Sequence, residues 1–188
     1  MATWTLRGFD WKRFHELKPA LEQAVRRNDL RTVPDAEAAA LVAEMEEIGE
    51  LAAVCNYLIA HICTTGDALV FHRNFPEFVD YLQDELGAED AAEMLTEGAF
   101  AGVHMEPWYQ TDEGLMGILS WADLDRLHRW LQAAAANLQP EERPRGLAVL
   151  IDALRTRQTN EELAKSLLGL VAHCVENRQG LAFLLSEP

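Results

Sequence analysis

The sequence predicts an all-α fold, a single compact domain over residues 1–188 built as a bundle of about six to eight helices. Three observations carry that expectation. Apolar residues recur at spacings of three and four along most of the chain. Thr32/Asp35, Ser120/Asp123 and Thr159/Glu162 have the spacing at which a hydroxyl and a carboxylate cap a helix start reciprocally. No strong period-two run marks a strand, and no internal repeat is visible.

The first helix follows Asp10, a capping residue, with Trp11, Phe14, Leu17, Leu21 and Val25 on one face. Pro19 lies inside that pattern and removes a backbone donor, which predicts a kink or two short helices. The next element reads as one long helix opened by Thr32/Asp35, with Pro34 in its first turn. Its apolar stripe runs Leu41, Met45, Ile48, Ala52, Cys55, Ile59 and Ile62, a heptad-like series. Gly49 in the middle suggests close approach of another helix, and Thr64-Thr65-Gly66-Asp67 ends the element.

Asn74 is read as the cap of a helix carrying Phe75, Phe78, Val79, Leu82 and Leu86, with Gly87 as its stop. A short helix is expected from Glu89 to Thr96. Residues 98–117 break every pattern and hold four of the eleven glycines. Ser120 opens a helix with Leu124, Leu127, Leu131 and Leu138 on one face. Pro140 and Pro144 bound a turn, and Leu147, Leu150, Ile151 and Leu154 mark another helix. Thr159 opens the last, with Leu163, Leu167, Leu170, Val171 and Cys174, and Leu181 to Leu185 reads as a short apolar tail.

Charge is distributed unevenly. The net charge of −15 resides in residues 32–125, which carry −19 with Arg73 as their one basic residue. So acidic a chain repels a phosphate backbone, which argues against nucleic acid and against an anionic membrane surface. No apolar stretch reaches the length of about 18 residues that a spanning helix needs. The N-terminus lacks the apolar core of a signal peptide, and three cysteines at loose spacing fit a reducing compartment, so a cytoplasmic protein is expected.

Glu44, Glu46, Glu47 and Glu50 cluster on the long helix, and a second acidic run extends from Asp84 to Glu97. Such runs keep a helix face solvated, or they dock a basic protein through complementary fields. In the irregular segment, Trp108 and Tyr109 offer flat amphipathic surface for a partner. His104, Glu106, Asp112 and Glu113 offer titratable groups for a ligand. The segment also reads as a connector whose aromatics plug into the core.

Chemistry-bearing motifs are sparse. Cys55, His61, Cys63 and His72 lack zinc-site spacing, and His61 and Cys63 would point to different sides of a helix. No Glu stands three residues before any of the six His, against a di-iron bundle, and Asp125 reads as orienting His128. Phosphate-cradling and serine-elbow motifs are absent. No metal, cofactor or catalytic residue is therefore expected.

The function read from these residues is protein interaction or regulation, with an acidic face for a basic partner, inhibitor-like or immunity-like in its sharpest form. The competing reading is a small-molecule- or metal-dependent enzyme sited at His104, Glu106, Asp112 and Glu113, joined by His61 or His72. The chain is expected to be a monomer, or a homodimer zipped along the stripe from Leu41 to Ile62.

Overall fold

A computed structural model describes residues 3–45, 49–72, 75–102, 104, 106, 109–136 and 159–186. It overturns the all-α helical bundle: the fold is mixed α/β, with seven α-helices among the described residues and a four-stranded antiparallel sheet. Strand β1 (Thr3–Phe9) leads into α1 (Trp11–Arg27), a short 3-10 turn (Leu30–Thr32), α2 (Ala36–Glu44), α3 (Leu51–Ile62) and β2 (Thr64–His72). Then come α4 (Phe75–Asp84), α5 (Glu89–Phe100), β3 (Gly114–Leu119), α6 (Trp121–Ala135), α7 (Asn160–Glu176) and β4 (Gly180–Ser186).

The sheet order is β2-β1-β4-β3. The N-terminal strand and the apolar tail are thus its two central strands, paired from Thr3↔Ser186 to Phe9↔Gly180. Side chains alternate across a strand, so the sheet buries two faces. Trp4, Leu6, Phe71, Leu181 and Phe183 pack on one side against α4, α5, α6 and α7. Phe9, Leu115, Ile118 and Ala182 pack on the other against α1, α2 and α3. A bulge between Leu115 and Gly117 lets Leu115 and Ile118, three residues apart, face the same side.

Caps act where strands turn into helices. Asp10 accepts a hydrogen bond from the Arg13 N–H at 3.0 Å and starts α1 directly after β1. Ser120 and Asp123 form the reciprocal box directly after β3, and Thr159 and Glu162 do the same for α7. Thr32, by contrast, lies in the 3-10 turn. Asp35 caps α2 instead, accepting from the N–H groups of Glu37 and Ala38 at 3.1 and 3.0 Å.

Two further expectations are corrected. Helix α1 is one helix through Pro19 rather than two short ones. The carbonyl that proline leaves without a donor belongs to His15, and both residues are exposed, so water can take that bond. The long stripe, in turn, belongs to two helices. Met45 is extended, α3 restarts at Leu51, and Gly49 has open space where a Cβ would stand, so it admits no neighbouring helix. Cys55, Ile59 and Ile62 are buried within the chain, which removes the face that would zip two copies together. The expectations at Asn74, at Leu138, at Pro140 and Pro144, and for Leu147 to Leu154 lie outside the described residues.

Candidate functional site

Helices α4 and α5, with the turn between them, hold eight acidic residues and no basic one, and all eight are exposed. The apolar positions decide that outcome. Phe75, Phe78, Val79 and Leu82 of α4 and Ala91, Ala92, Met94 and Leu95 of α5 face the core, which leaves the acids to the solvent. Glu89, Glu93 and Glu97 recur at one-turn intervals along α5 and, with Gln83, Ala92 and Thr96, line a shallow groove of about 400 Å³.

Several acids elsewhere among the described residues are paired. Arg13 pairs with Asp35 at 2.8 Å and with Glu37 at 3.4 Å; Lys18 pairs with Glu106 at 2.8 Å; Arg129 pairs with Asp125 at 3.2 Å. Among the described residues, no ion pair reaches Asp80, Asp84, Glu85, Glu89, Asp90, Glu93 or Glu97. Glu44 and Glu50 are exposed at the end of α2 and just before α3, while Glu46 and Glu47 lie outside the described residues.

Between α5 and β3, two described residues, His104 and Glu106, are tied to neighbouring helices. His104, in the left-handed region at φ 64°, lies 3.1 Å through Nε2 from Asp123 Oδ2 and meets Trp11 edge-on. Asp123 also accepts from the Ser120 N–H and Oγ and from Arg126. Partial burial pushes its carboxyl up, but those bonds from Ser120, His104 and Arg126 outweigh burial and bring it down to about 2. Glu106 accepts from Lys18 Nζ, and that bond raises the Lys18 ammonium above its ordinary range.

Tyr109 is fully buried, edge-on to Phe14, so it plugs the core and presents no surface to a partner. Trp108 lies outside the described residues. His104, Glu106, Asp112 and Glu113 do not form one constellation: His104 turns to α6, Glu106 to α1, Asp112 is exposed, and Glu113 lines a cleft beneath α3.

That cleft has a volume of about 500 Å³. Asn56, Tyr57, Ala60 and His61 share one side of α3 and form its wall. Thr5 and Arg7 of β1 and Leu184 to Ser186 of β4 form its floor. Asn56 is committed to structure, since its amide bonds Tyr109 O, Leu115 O and the Leu115 N–H. Tyr57 is 40% exposed, and its ring centre is 4.2 Å from that of His61.

Arg7 donates through Nη2 to Gly66 O at 3.0 Å, while its buried Nε meets no acceptor among the described residues. A buried N–H without an acceptor costs about 1–3 kcal/mol. Of the residues named from sequence, Glu113 and His61 meet at this cleft. Arg7, Thr5 and Tyr57 were not legible as partners, because they come from segments some fifty residues apart with no motif linking them.

Cys55 and Cys63 are buried while His61 and His72 are exposed, and among the described residues no group of three His, Cys, Asp or Glu could hold a metal ion. Asp125 pairs with Arg129 rather than with His128. No helix among the described residues is long and apolar enough to cross a membrane. Comparisons with protein-family models, curated proteins and solved structures find no match to this chain.

Proposed function

We propose that the chain works by binding, and that the acidic face of α4 and α5 docks a basic protein. One observation carries this reading: the seven acids from Asp80 to Glu97 lie together on one exposed surface with no cation paired to any of them among the described residues, whereas α1, α2, α6 and α7 each hold at least one ion pair. Like charges one turn apart repel, so an arginine- or lysine-bearing partner relieves a strain that the fold leaves in place. The groove between Gln83 and Glu93 gives such a side chain a seat. Complementary fields of this kind speed encounter and reject partners of the wrong sign.

An inhibitor-like or immunity-like role is the sharpest form of the proposal. The three buried, unpaired thiols accord with a reducing, cytoplasmic setting. The enzyme reading has less support, since its four residues diverge.

Capture from native lysate tests the proposal, using wild type beside the E89Q/E93Q/E97Q variant at low and high salt. A basic protein is expected to be retained by the wild type at low salt, lost at high salt, and lost by the variant at both. E44Q/E50Q serves as the second arm. Loss of capture there alone would move the docking face to the α2–α3 corner. A retained protein insensitive to salt and to both variants would end the acidic-face reading.

A further inference from the structure

We propose that the cleft between α3 and the strands β1 and β4 binds a small monoanionic carboxylate that carries an apolar ring. The site is distinct from the acidic face and does not depend on it. Its volume of about 500 Å³ falls in the range of small-molecule pockets, about 300–1,000 Å³.

Arg7 supplies the anion's partner. It is a cation in the cleft floor, one N–H anchors it to Gly66 O, and no carboxylate pairs with it among the described residues. A guanidinium held in this way matches the planar fork of a carboxylate and loses little freedom on binding. Glu113 lies on the same rim and bears the opposite sign to Arg7. It therefore disfavours dianions such as phosphate esters and leaves a single negative charge as the one Arg7 can neutralise.

The remainder of the wall selects the body of the ligand. Tyr57 and His61 offer ring faces, and Leu184 and Leu185 supply apolar floor. A large aromatic residue exposed in a concavity marks a surface that gains by being covered.

The test is a titration of the ¹⁵N-labelled full chain with benzoate, read at the Arg7 Nε–H and the His61 ring signals, with neutral benzamide as the isosteric control. Saturable shifts are expected with benzoate, and binding about tenfold or more weaker with benzamide, the ratio that loss of one charged hydrogen-bond pair gives. R7Q should erase the preference for benzoate. Should R7Q fail to fold, Y57A, which alters an exposed side chain, should weaken benzoate binding while the amide spectrum stays native elsewhere. The proposal is overturned by an absence of saturable shifts with benzoate, by equal affinity for benzoate and benzamide, by unchanged binding in a folded R7Q, or by tighter binding of inorganic phosphate than of benzoate.

Discussion

Asn56 bonds Leu115 through both ends of its side-chain amide, Nδ2 donating to Leu115 O at 2.6 Å and Oδ1 accepting from the Leu115 N–H at 2.8 Å. A third bond, from Nδ2 to Tyr109 O at 3.0 Å, closes the set. One buried polar residue of α3 thereby satisfies three backbone groups, two at the start of β3 and one at Tyr109 ahead of it, and fixes the rim of the cleft. N56A strands all three in a buried place, and each unmet group costs about 1–3 kcal/mol, less what water recovers. Urea denaturation should show a loss of about 2–4 kcal/mol. A loss under about 1 kcal/mol would mean that water enters from the cleft and replaces the amide.

Asp123 makes stability depend on acid. Its folded-state carboxyl lies at about 2, below the ordinary 3.8, so the folded state favours the ionised form. A depressed acid contributes stability that is fully present above about 3.8 and is lost as pH falls through about 2. The contribution is about 2 kcal/mol. Denaturation midpoints measured from pH 5 to pH 2 should fall less steeply in D123N than in wild type. Parallel curves would show that His104 and Arg126 do not hold the carboxylate in solution.

Gly117 is where β3 touches α5. A Cβ there would stand 2.0 Å from Gly98 O, a backbone atom that cannot turn aside. G117A should therefore cost about 2–4 kcal/mol, or prevent folding. Gly169 is the contrast, since it lies inside α7 with open space around its Cβ direction. G169A should raise stability by up to about 1 kcal/mol through helix propensity alone. Thermal melts of the two variants should therefore move in opposite directions.

The thiols should act as reporters of unfolding. Burial pushes Cys55 and Cys63 up to about 12 and Cys174 up to about 11, so little thiolate forms near neutral pH. A chromogenic disulfide reagent at pH 8 should find all three slow in the native chain and fast in urea. A fast native phase would reveal local opening of α3 or α7.

The helices were legible because their signals are local. Ser120/Asp123 and Thr159/Glu162 are boxes four residues long, and the stripes of α4 and α6 lie within the helices that they mark. The strands were not, for two physical reasons. The first five residues of β4, Gly180 to Leu184, meet neighbours on both faces, so it shows the continuous apolar run of a central strand rather than alternation. Its partner β1 lies at the far end of the chain, where Thr3 meets Ser186, and no short-range pattern reports a pairing of that span. The break between α2 and α3 escaped notice because both helices bury their apolar faces in one core, so the stripe continues in step across it. Glu113 and His61 were visible as chemistry-bearing residues, whereas Arg7 gained meaning only when the sheet set it beneath Tyr57.

The acidic stripe of α5 should destabilise the free protein, and unevenly along its length. Glu89 to Glu93 and Glu93 to Glu97 are like-charge pairs one turn apart, each costing about 0.2–0.5 kcal/mol at low salt. The helix dipole then separates the ends. Glu89 is in the first turn, where negative charge is favoured, and Glu97 is near the last, where it is not. E97Q should thus raise the denaturation midpoint, E89Q should leave it level or lower it, and E93Q should gain from relief of both neighbours. All three differences should shrink toward zero in 1 M salt, where screening reaches about 3 Å. Equal effects from the three variants, or none at low salt, would show that solution cations already neutralise the stripe and would remove the unmet charge on which docking of a basic partner depends.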